Sequence, residues 1–161
     1  QIRLGNSAVS SIGGFANWTN VSDIRFKTNV NENVAGLDFI NLLRPVTYNL
    51  DMEAIADFLD TPDSLRLMNA ELQKAKILQS GFIAQEVEIA AQKSGYDFSG
   101  LDLPENSMDH YGLRYAEFTI PLVKAVQELS AENQALKEKI IELEKLKSEM
   151  AEIKKYLDLK P

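Results

Sequence analysis

The period at which apolar residues recur changes along the chain, and each change marks an element. Ile24, Phe26, Thr28 and Val30 alternate with Asp23, Arg25, Lys27 and Asn29. Period two predicts a strand, with Asp23, Arg25 and Lys27 on one face and the apolar residues on the other. Leu37, Ile40 and Leu43 recur at helical spacing until Pro45 ends the run, and Val46, Tyr48 and Leu50 alternate again. Thr61-Pro62-Asp63 pairs an N-cap residue with proline at the first helical position, predicting a helix through Leu65, Met68, Leu72 and Ala75. Gly81-Phe82-Ile83-Ala84 reads as a short apolar strand or buried turn. From Gln85 a helix carries Val87, Ile89 and Ala91 to a stop at Gly95, and the stretch 97–109, with Gly100 and Pro104, has loop chemistry.

The last helix begins near Thr119, with Pro121 tolerated in its first turn. Leu122, Val126, Leu129, Asn133, Leu136, Ile140 and Leu143 then follow an alternating four-three spacing, the seam of a coiled coil. The next apolar positions are Leu146, Met150, Ile153 and Leu157, so the phase slips by three residues, a stammer that overwinds the supercoil locally. From Leu122 to Leu157 such a helix is a rod of roughly 54 Å. Val126 with Leu129 suits two strands, while Asn133 at a core position specifies register without setting the strand number. Dimer and trimer both remain open on these residues.

Charge supports self-association. From Leu122 to the C-terminus there are eight Lys and eight Asp or Glu, so the whole net charge of -7 lies before that point. Balanced, interspersed charge lets identical helices lie together, and the acidic remainder repels a phosphate backbone, which argues against nucleic acid as a partner. With no cysteine and one histidine, His110, the chain has neither disulfides nor a zinc set, and no cofactor is expected. No apolar run reaches the length of a membrane span. At 161 residues and 45% apolar composition, one modest body plus one extended element is expected, an α+β, mostly helical architecture of short strands and helices. Boundaries fall at 1–21, 22–118 and 119–161.

The opening residues are rich in Ser, Gly and Asn with isolated aliphatics, which predicts short strands and turns broken at Gly13-Gly14. Ile2-Arg3-Leu4-Gly5-Asn6-Ser7 followed by Val9-Ser10-Ser11-Ile12-Gly13-Gly14 resembles one repeat of the head region of trimeric autotransporter adhesins. That resemblance implies a trimeric β-rich fibre upstream.

A serine hydroxyl becomes a nucleophile only when a base takes its proton, and a lysine serves only if it gives up its own. From an ordinary pKa of about 10.4 this needs desolvation or a neighbouring cation. Arg25, Val21, Ile24 and Phe26 supply both influences near Lys27, and Asp23 opposes them. Spacing alone is equally consistent with an exposed strand face. However, Ser22-Asp23-Ile24-Arg25-Phe26-Lys27 resembles the Ser-Asp-x-Arg-x-Lys signature of the peptidase S74 family, found at the C-termini of phage tailspikes and tail fibres and in myelin regulatory factor. Leu43-Arg44-Pro45-Val46-Thr47-Tyr48, Gly81-Phe82-Ile83-Ala84-Gln85-Glu86-Val87 and Tyr111-Gly112-Leu113-Arg114-Tyr115 are similar to later blocks of that family, in family order, so the likeness runs from Val21 to Leu129.

The resemblance implies a homotrimer with a parallel coiled coil at the end of a fibrous protein, and a single self-cleavage beside Ser22 at the Val21-Ser22 bond, with Ser22 and Lys27 as the catalytic pair. Val21, Asp23 and Arg25 are then neighbours of the cleavage site, and Gln85 and Glu86 are candidates to stand near it. Phe82, Ile83 and Val87 are expected in the core. The partners are the chain itself as a homotrimer and its upstream fibre, at a bacterial surface or outside the cell, or alternatively in a phage tail. Three rival functions fit parts of the pattern: a trimerisation stalk of a surface adhesin that does not cut, a serine-lysine hydrolase acting on external substrates, and a coiled-coil DNA binder. The last lacks a basic segment before Leu122.

Overall fold

The computed structural model describes residues 5–9 and 11–158, the side chain of the last excepted. Ile2, Arg3, Leu4 and Ser10 of the adhesin-like opening lie outside these. Among the described residues five α-helices and four short strands follow in the order α1 (Leu37–Ile40), β1 (Val46–Tyr48), α2 (Met52–Phe58), α3 (Met68–Lys74), β2 (Gln79–Gly81), α4 (Ala84–Ser94), β3 (Leu101–Asp102), β4 (Gly112–Leu113) and α5 (Thr119–Asp158). The mixed character and the long final helix agree with the pattern of the sequence, and about half of the chain is helical.

The chain forms two compact units, the first from 1–33, 43–90 and 101–113, the second from 34–42, 91–100 and 114–161. In the first, β1 and β2 pair antiparallel with Val46 opposite Gly81 and Tyr48 opposite Gln79. A second antiparallel pair joins β3 to β4, Leu101 opposite Leu113. The expected loop at 97–109 therefore contains a strand, and the strand expected at 81–84 lies two residues earlier. Two- and three-residue strands carry no readable alternation; their pairing comes from contacts distant in sequence. Helix α2 starts at Asp51, whose carboxylate accepts from Ala54 N at 3.0 Å. The helix expected from Thr61 is split into a 3₁₀ turn at Asp63–Leu65 and α3, with an extended residue, Arg66, between them.

That break has a cause. Arg66 turns inward, 5% exposed, and its guanidinium binds Glu71 (3.1 and 2.9 Å) and Glu53 (2.9 Å). Glu71 is the one charged residue in the buried set and also accepts from Leu67 N at the start of α3 at 3.3 Å. A carboxylate out of water needs such partners. Met52, Ala56, Val87 and Ala90 are the buried apolar residues of this unit, and Ile83, expected in the core, is 40% exposed. Residue 83 closes the entry to α4, accepting from Glu86 N and Val87 N with its carbonyl, while Val87, one turn on, takes the inward position.

The second unit is built on aromatic rings. Phe39 of α1 packs against Tyr96 (5.4 Å), Phe98 (5.0 Å) and Phe118 (6.5 Å), and Phe118 meets Phe98 edge-on at 4.6 Å. Gly95 has φ +64°, the left-handed conformation in which glycine ends a helix at least cost, as its position after α4 predicts. Helix α5 lays Pro121 and Ala125 inward, with Glu128 one turn further along the same face. The Glu128 carboxylate accepts from Leu37 N at 2.7 Å, satisfying the first free N–H of α1.

Candidate active site

Residues 23–30 do not form the expected strand. Ile24–Phe26 is a 3₁₀ turn, with Phe26 N donating to Asp23 O (3.0 Å) and Lys27 N to Ile24 O (3.1 Å). A strand needs a partner for its backbone groups, and this segment has none among the described residues. Asp23 offers a local alternative: its carboxylate accepts from Arg25 N at 2.9 Å and caps the turn.

The turn decides which side chains meet. In a strand, Ser22 and Lys27, five residues apart, would point to opposite faces about 16 Å from one another along the axis. The turn instead brings Lys27 Nζ to 2.9 Å from Ser22 Oγ, donating to the hydroxyl. Asp23, Arg25 and Lys27 no longer share a strand face. Arg25 forms a forked pair with Asp23, Nε at 3.0 and 3.1 Å from the two carboxylate oxygens and Nη2 at 2.6 Å. That fork, with the backbone hydrogen bond from Arg25, holds the Asp23 carboxyl below its usual range and raises the Arg25 guanidinium. The acid expected to oppose a neutral Lys27 is therefore occupied by the guanidinium expected to favour one. Arg25 also lies over the Phe26 ring at 5.7 Å.

Ser22 and Lys27 are exposed in the single chain, and so are Trp18 (89%), Val21 (82%), Ile24 (70%) and Phe26 (70%). The other candidates are elsewhere in the first unit. Gln85 is exposed at the start of α4. Glu86 receives the Arg44 guanidinium, with Nε to Oε2 at 3.0 Å, and so joins two blocks of the family-like sequence. Tyr111, from the third block, donates to Glu88 at 2.9 Å. These residues fasten the body together, while the Ser22 hydroxyl is hydrogen-bonded to Lys27. Two polar residues that the sequence reading missed, Glu71 and Lys74, touch the chain before Ser22: Lys74 Nζ donates to Val9 O at 2.9 Å, and Ser7 is hydrogen-bonded to Glu71. Their only sequence signal is charge on the inner side of a short helix.

The residues expected to form a seam on α5 are exposed: Leu122 47%, Val126 64%, Leu136 56%, Ile140 53% and Leu143 64%. Leu129 is likewise exposed, and Asn133 folds its amide back to Leu129 O at 2.9 Å. No helix of the described residues is long and apolar enough to cross a membrane.

No curated protein and no solved structure matches the chain. A family model does, over residues 22–96: Peptidase_S74, described as chaperone of endosialidase. The match starts at the serine of the Ser22–Lys27 contact and takes in the blocks at Leu43–Tyr48 and Gly81–Val87, while the block at Tyr111–Tyr115 lies beyond it. Residues 22–96 are thus a domain of the Peptidase_S74, chaperone of endosialidase, family.

Proposed function

We propose that this chain is an intramolecular chaperone that assembles a fibrous protein as a homotrimer and then cuts itself from it beside Ser22. The observation that carries the reading is the 2.9 Å contact between Lys27 Nζ and Ser22 Oγ, at the first residues of the family match. The upstream segment 1–21 belongs to the fibre, 22–118 is the chaperone body and 119–161 the coiled-coil helix. A fibre of a bacterial surface or a phage tail is the natural setting, as for the families the sequence resembles.

In the proposed reaction, uncharged Lys27 Nζ takes the Ser22 hydroxyl proton as Oγ attacks the Val21 carbonyl carbon. The Val21-Ser22 C–N bond breaks, the Ser22 nitrogen leaves as an amine carrying that proton, and Val21 is held as an ester on Oγ. Water then hydrolyses the ester, freeing the Val21 carboxylate and restoring the hydroxyl. Lys27 acts as a base only when it is shielded from water, and in one chain it is exposed. Packing of the apolar neighbours Trp18, Val21, Ile24 and Phe26 against further copies supplies that shielding, so assembly precedes the cut. The unpartnered α5 seam supports a parallel three-stranded coiled coil as the means of assembly. Once the chaperone leaves, the fibre keeps its alignment for kinetic reasons.

Intact mass spectrometry tests the chemistry. Wild type should yield a break at Val21-Ser22, while Ser22→Ala, Lys27→Ala and Lys27→Arg remain full length, the last because a guanidinium keeps its proton. Normal cutting in Lys27→Ala would sink the dyad, and an uncut wild-type trimer would favour a stalk that assembles without cutting.

A further inference from the structure

Helix α3 presents two charged side chains to residues that precede the scissile bond. Lys74 Nζ, part-buried, donates to the backbone carbonyl of Val9 at 2.9 Å, and the Glu71 carboxylate is hydrogen-bonded to Ser7. Glu71 is held in place from behind by Arg66, whose side chain is buried, so its position does not depend on the segment it meets. The segment is shaped for the contact: Asn6 accepts from Ala8 N through Oδ1 (3.0 Å) and from Val9 N through its carbonyl (3.1 Å), making a turn that directs the Val9 carbonyl outward. Beside it, a cavity of about 380 Å³ is walled by Asn6 and Ser7 on one side and by Met52, Ile55, Leu59 and Leu65 on the other.

We propose that Glu71 and Lys74 form a docking site for the chain upstream of Ser22, gripping it through the Ser7 hydroxyl and the Val9 carbonyl. The proposal rests on the cleavage reading only in calling residues 7–9 upstream. One contact is to a side chain and one to the backbone, so the site accepts a turn that has a hydroxyl two residues before an available carbonyl. Hydrolysis at Val21-Ser22 leaves both contacts intact. The upstream piece therefore stays on the body after the bond is broken, and release becomes a separate step. In an assembly of three chains three such contacts act together, which lengthens the retention.

Hydrogen exchange on the full-length Ser22→Ala chain tests the docking whether or not the wild type cuts. The amides of Ala8 and Val9 should be protected, and Lys74→Met should lower that protection about tenfold or more, the usual effect of losing a charge-assisted hydrogen bond. Ser7→Ala should lower it by a smaller factor and Lys74→Arg should largely preserve it, while the amides of α4 exchange as in the parent. Exchange at Ala8 and Val9 as fast as in an unstructured peptide, or unchanged protection in both Lys74→Met and Ser7→Ala, overturns the docking site. Uncut wild-type protein counts against the cleavage reading instead.

Discussion

Replacing Gly36 by alanine perturbs the joint between α1 and α5. Gly36 caps α1 and is buried. A Cβ there would lie 2.3 Å from Glu128 Oε2, 2.7 Å from Glu128 Cδ and 2.9 Å from Ala125 N. The carboxylate can swing away, but only by giving up its hydrogen bond to Leu37 N, a charge-assisted contact of about 1.5–3 kcal/mol. Ala125 N is backbone in the middle of a helix turn and does not swing, so α5 must also shift, an overpacking cost of about 1–3 kcal/mol. The combined loss is about 2.5–6 kcal/mol. Urea unfolding at fixed protein concentration, followed by the near-ultraviolet circular dichroism of Tyr96 and Tyr115, measures it. Glu128→Ala separates the two parts: Gly36→Ala with Glu128→Ala should still be less stable than Glu128→Ala alone, because the backbone obstacle remains. A Gly36→Ala chain within about 0.5 kcal/mol of wild type would refute this account of the joint.

Three other outcomes follow from single side chains. Burial would raise Glu71, but hydrogen bonds from Arg66, Ser7 and the Leu67 backbone and the Arg66 charge outweigh it and hold the carboxyl below its ordinary 4.5. Its contribution to stability is therefore present above pH 4.5 and lost as pH falls through the lowered value, and an acid titration of Glu71→Gln should be flatter there than that of wild type. The Tyr111 phenol is raised above 10 by its hydrogen bond to Glu88, then by burial and the Glu88 charge. Its contribution is present below pH 10 and lost as pH rises through the raised value, so Tyr111→Phe should be less stable at neutral pH and lose less stability in alkali, read by thermal unfolding at pH 7 and 11. Gly95→Ala, which forces a side chain onto φ +64°, should cost about 1 kcal/mol in urea unfolding, with Gly95→Asn milder.

The parts of the fold with a long period were legible from sequence, and the parts made by local chemistry were not. Helix α5 declares itself over 40 residues, and Pro121 and Gly95 punctuate as their backbone limits require. β1 was readable from Val46 and Tyr48. By contrast, β3 and β4 have two residues each, too few for alternation. Helix α2 was missed although Asp51 stood before it as a cap, because seven residues complete barely two turns. The stretch 23–30 misled for a sharper reason. Its alternation is real, but Asp23 satisfies the backbone within the segment, and an alternating run without a partner has no sheet to join. The residues of the proposed dyad were legible by resemblance; their meeting across a 3₁₀ turn was not. The α3 contacts to Ser7 and Val9 join positions more than sixty residues apart, so the charge on α3 was legible but its partners were not.

Assembly and cutting are joined in the proposed mechanism; native mass spectrometry reads the first, and denaturing mass spectrometry of the same sample reads the second. Wild type and a Leu136→Asp, Ile140→Asp chain, which places unpaired charge in the seam, are compared at the same micromolar concentration. The account predicts trimers cut at Val21-Ser22 in the wild type and uncut monomers in the variant. A monomeric variant cut as fully as wild type would contradict it, as would a wild-type chain that neither assembles nor breaks beside Ser22.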